Sequence, residues 1–64
     1  MSPDEAKREI VNEMARIIRD FRSEYDVVTR FLLAGYRRRD IATYGYDAVR
    51  VEIDRRREQL ARAA

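Results

Sequence analysis

A chain of 64 residues with 14 basic and 12 acidic side chains, a net charge of +2 and 45% hydrophobic content has room for one domain with a small core, because so short a chain buries only about 60% of the surface its unfolded form exposes. Having neither cysteine nor histidine, it lacks disulfides, thiolate chemistry and the usual zinc ligands, and only carboxylates are left for hard cations, so a reducing compartment is the simplest reading. The longest apolar runs, 31–34 among them, fall far short of the roughly 20 residues a membrane-spanning helix needs, and the acidic, charge-interrupted N-terminus is unlike a signal peptide; the expectation is a cytoplasmic protein without cofactor or metal.

The charge is uneven. Residues 1–34 carry seven acids against six bases, and residues 35–64 carry five against eight. Thirteen of the 14 cations are arginine, the side chain whose planar fork fits phosphate and carboxylate. A GC-rich genome gives the same bias, so the excess alone does not decide between the two origins.

In chain order, Ser2-Pro3-Asp4-Glu5 reads as a helix start, with Ser2 as cap, Pro3 at the first helical position and Glu5 completing a capping box. Ala6, Ile10, Met14, Ile17, Phe21, Tyr25, Val28 and Leu32 then recur at spacings of three and four, all on one side of a helix. The phase holds across Ser23, which predicts one long helix over 3–34, about 48 Å in length. Ser23 followed by Asp26 is also a second capping signature, so a break there is the competing reading. Val27, Phe31 and Leu33 widen the stripe, placing the centre of the core at 27–33. The narrower stripe before it, Ile10, Met14, Ile17, Phe21 and Tyr25, is the expected surface for an antiparallel neighbour or for a second copy in a homo-oligomer.

Gly35 supplies a left-handed residue that ends the helix. A short helix over 37–44 follows, stopped by Gly45, and Asp47 then caps a last helix over 48–62 with Val49, Ile53, Leu60 and Ala64 inward. The strict alternation of Val49, Val51 and Ile53 with polar residues is equally a strand pattern, but the helix-forming tail after it, with no turn signal, favours helix. The expected fold is all-α, a single domain over 1–64 arranged as a small orthogonal three-helix bundle of one long, one short and one medium helix, and oligomeric.

Gly35-Tyr36, Ile41-Ala42, Gly45-Tyr46 and Val51 stand in the order of a bacterial helix-turn-helix, and the stretch 35–53 resembles in particular the C-terminal region of sigma factors. That resemblance implies binding of duplex DNA with the second helix in the major groove, Arg50, Arg55 and Arg62 towards the groove and Arg37, Arg38 and Arg39 on the backbone. Asp54 and Glu58 share the exposed side of the last helix, an unwelcome placement against phosphate. Arg56 falls on the inward side and needs an acid, with Glu13 or Asp20 the expected partner.

Other readings weigh against these. Both arginine triplets also suit a solvated, salt-bridged surface, and Tyr25, Tyr36, Tyr44 and Tyr46 suit either a recognition patch or the rim of a small core. Catalysis is not expected, since Ser2, Ser23, Thr29 and Thr43 have no histidine to activate them and a small domain seldom encloses a pocket. Two functions remain: a nucleic-acid-binding, transcription-regulator-like module, or a helical protein-interaction module, either a homodimer or a small phage-type inhibitor with no nucleic-acid role.

Overall fold

The computed structural model describes residues 2–63. Three helices follow one another, α1 (Pro3–Ile17), α2 (Glu24–Leu33) and α3 (Arg38–Ala63), and the described residues include no strand. The all-α expectation holds. The stretch 49–54 that alternates like a strand lies inside α3.

Capping sets the first two helices. Ser2 Oγ accepts the Glu5 N–H at 3.2 Å, and Ser23 Oγ accepts the Asp26 N–H at 3.1 Å while Asp26 Oδ2 accepts the Arg22 N–H at 3.1 Å. The second box begins a new helix, so the continuous helix over 3–34 is corrected: α1 ends at Ile17, Asp20 takes a left-handed φ of 60° and the chain turns before Ser23. The periodicity missed this because Ile17, Phe21 and Tyr25 keep a spacing of four whether or not the backbone between them is helical. Gly35 ends α2 as expected. With φ at 95° it lets its own N–H reach Leu32 O and the Tyr36 N–H reach Phe31 O, both at 3.1 Å, the paired closure of a Schellman motif.

Gly45 does not stop a helix. The short helix over 37–44 and the last helix over 48–62 are one element, α3, about 39 Å long. Gly45 is buried in it, and a Cβ there would stand 3.6 Å from Phe31 Cε2. Asp47, expected as a cap, instead pairs with Lys7 of α1 at 3.4 Å. The N-terminus of α3 is closed by Asp40, whose Oδ2 accepts the Arg37 N–H at 3.4 Å.

Val11, Met14, Ala15 and Ile18 from α1 and its end, Val27 and Phe31 from α2, and Ala48 from α3 form the core. The small residues Gly45 and Ala48 let α3 approach closely. Only Val27 and Phe31 of the segment 27–33 are buried; Val28, Leu32 and Leu33 face solvent, so the centre of the core lies between α1 and α3. On α3, Val49 and Ile53 are half-buried and Leu60 is exposed, against its inward assignment; Ala64 lies outside the described residues. The Cα trace spans 38 × 30 × 14 Å, and each of the three helices keeps a solvent-facing side.

Candidate functional site

Glu52 is the most deeply buried charged residue among those described, 1% exposed, and it gathers two arginines of its own helix. One carboxylate oxygen accepts from Arg55 Nε at 2.6 Å; the other accepts from Arg56 Nε at 3.1 Å, from Arg55 at 3.1 Å and from the Asp20 backbone N–H at 2.5 Å. Arg55 also reaches Asp20 Oδ1 at 2.9 Å. Arg56 donates to Phe21 O at 2.7 Å and lies 4.2 Å above the Phe21 ring, a cation–π contact. A mirror arrangement closes the other side of the turn, where Arg30 holds Asp26 and donates to Arg19 O at 2.7 Å. The left-handed turn between α1 and α2 is thus held by charged side chains from α2 and α3.

The hydrogen bond from Arg55, aided by the Asp20 N–H and Arg56, outweighs burial and lowers the Glu52 pKa to about 2. The Arg22 N–H, and after it Arg30, lowers that of Asp26. These charged groups build structure. Arg55, expected at a DNA groove, is held by Glu52 and Asp20, and Arg62, expected there too, pairs at 2.8 Å with Glu58 on the exposed surface. Arg56 does face inward and meet an acid, but that acid is Glu52 of its own helix. The clue stood in the sequence, since Glu52 lies three and four residues before Arg55 and Arg56, the spacing at which helix side chains meet.

Arg37, Arg38, Arg39 and Arg50 are exposed and form no ion pair among the described residues. Arg57, which the resemblance did not single out, joins them. Arg39, Arg50 and Arg57 are separated by eleven and seven residues, close to three and two full turns, so they line one outward row of α3 about 27 Å long. Asp54 and Asp47 border Arg50 on one side of this row.

The expected oligomer stripe is mostly occupied within the chain. Met14 is fully buried, and Ile10, Ile17 and Phe21 pack against the same core. Tyr25 points away, 82% exposed. What stays open is a cleft of about 350 Å³ between α2 and α3, walled by Phe21, Val28, Phe31, Ile41, Tyr46 and Val49. Among the described residues no three carboxylates converge into a metal site, and no helix is long and apolar enough to cross a membrane. No protein-family model matches this chain, and neither the curated proteins nor the solved structures include a match to it.

Proposed function

We propose that this chain is a small non-enzymatic nucleic-acid-binding module that holds duplex DNA along the outward face of α3. The observation that carries the reading is the row Arg39, Arg50 and Arg57, extended by Arg37 and Arg38 at the start of the helix, all without an internal acid partner. Affinity for a duplex is dominated by neutralising phosphates, and a single helix fits a major groove about 12 Å wide. The stretch 35–53 that resembles a helix-turn-helix lies in the Gly35 turn and in α3, which continues through Gly45, so the reading rests on the arginine row and not on that resemblance.

Fluorescence anisotropy with a mixed-sequence duplex at two or more salt concentrations tests it. Changing Arg39, Arg50 and Arg57 together to Ser should weaken binding similarly for all sequences and flatten the dependence of log K on log salt by about 3, one per lost phosphate contact. Undetectable binding at low salt, or a variant as tight as the parent, ends the reading. A second reading, a protein-interaction module, rests on the apolar cleft between α2 and α3.

A further inference from the structure

We propose that the α2–α3 cleft is the interface of a two-fold homodimer, in which the exposed ridge of α2 from each copy fills the cleft of the other. This goes beyond the nucleic-acid reading and does not rest on it.

Three observations specify a second copy as the occupant. The first is area. A monomer of 7.7 kDa is expected to expose about 4,300 Å², and this chain exposes 5250 Å². The excess, about 950 Å², is shared between the end of α3 beyond Arg56, exposed throughout, and the open faces of α2 and α3 beside the cleft, and a standard interface takes roughly 800 Å² from each partner.

The second is shape. Tyr25, Val28 and Leu32, at spacings of three and four, form an apolar ridge along α2, 82%, 39% and 46% exposed. Val28 belongs both to this ridge and to the wall of the cleft, whose opposite wall carries Tyr46, 73% exposed. A patch that holds ridge and groove side by side is self-complementary, the requirement of an isologous contact in which residue i meets j and j meets i.

The third is charge. Glu24 lines the end of the cleft where α2 begins, beside Phe21 and Val49. At the other end, near Ile41, α3 begins with exposed Arg38. A two-fold axis through the middle of the ridge sets each acidic end over the partner's basic end. Such pairing steers orientation more than it adds affinity.

Sedimentation equilibrium on the full chain, without nucleic acid, tests the proposal. The expected result is a species of twice the 7.7 kDa chain mass at protein concentrations of tens of micromolar. Val28→Glu, outside the core, should keep the helical circular dichroism and weaken dimerisation at least tenfold. Glu24→Arg and Arg38→Glu should each weaken it several-fold, and the two together should restore it. A parent chain that stays monomeric at about 100 μM, a Val28→Glu dimer as tight as the parent, or a charge-swapped pair weaker than both single variants would overturn it. So would a monomeric chain whose cleft binds a different protein. Arg38 is shared between the two proposals, but sedimentation is run without nucleic acid and leaves Arg39, Arg50 and Arg57 unchanged, so the two proposals fail separately.

Discussion

The two seams that α3 makes with the rest of the molecule are built on opposite principles. Against α1 and the turn after it, α3 meets a filled core of Met14, Ala15 and Ile18 and a buried carboxylate with every polar atom engaged. Against α2 it meets Phe31 and Val27 on one side only, and the remainder is an open apolar cleft. The difference shows how a chain near the lower size limit divides its labour. Met14, Ile18 and the buried carboxylate secure one seam, where Glu52, Arg55 and Arg56 fasten the left-handed turn at Asp20 to the long helix. The other seam is left with surface to spare, and there the chain offers itself to a partner.

Removing the centre of the first seam should have the largest effect. Glu52→Ala strands two guanidinium groups and the Asp20 N–H around an apolar void, and breaking a buried pair from one side costs about 3–5 kcal/mol. Urea unfolding followed by circular dichroism should show a loss of that size, a large part of the 5–15 kcal/mol typical of whole domains. A loss below about 1 kcal/mol would mean that the seam is held by Met14 and Ile18 alone.

Acid should produce a somewhat smaller effect at the same place. The Glu52 carboxyl titrates near 4.5 when free and at about 2 in the folded chain. The folded state therefore binds its proton less readily than the unfolded state does. The stabilisation is complete above pH 4.5 and is lost as pH falls towards 2, on the order of 3 kcal/mol over that window. Asp26, also held below its ordinary range, acts in the same direction. Urea midpoints measured from pH 5 to pH 2 should fall steeply in the parent and distinctly less in Glu52→Gln, which has no proton to gain. Parallel slopes would place the acid sensitivity elsewhere.

The same contrast explains what was legible in the sequence. Caps were readable because their chemistry is local: Ser2 with Glu5, Ser23 with Asp26, and Gly35 as a left-handed stop all stand where the residue types put them. The break between α1 and α2 was signalled by Ser23 and hidden by the apolar spacing, which continues unbroken through 17, 21 and 25 even though Phe21 packs on the core and Tyr25 points away from it. Arg56 could be placed inward from its position on the wheel. Its partner Glu52 was overlooked because a buried glutamate looks like a solvated one until the surrounding donors are counted. The open cleft had no sequence signature at all: Val28 and Leu32 belong to the same stripe as Met14, and only the direction in which α2 leaves the turn separates the exposed residues from the buried one.

Gly45 gave the most misleading local signal, and it yields the smallest effect and the finest probe of the second seam. A glycine inside a helix costs about 0.5–1 kcal/mol relative to alanine, and local propensity reads it as an end. Here α3 continues through it. An alanine Cβ would meet Ile41 Cγ2 at 3.4 Å and Phe31 Cε2 at 3.6 Å, ordinary van der Waals distances, and no positive φ stands in its way. The methyl group would fill space beside a cleft that is not closed. Gly45→Ala should therefore stabilise the chain by about 0.5–1 kcal/mol in urea unfolding. A destabilised variant would show instead that α2 is pressed against α3 at this point, and that the second seam is as tightly built as the first.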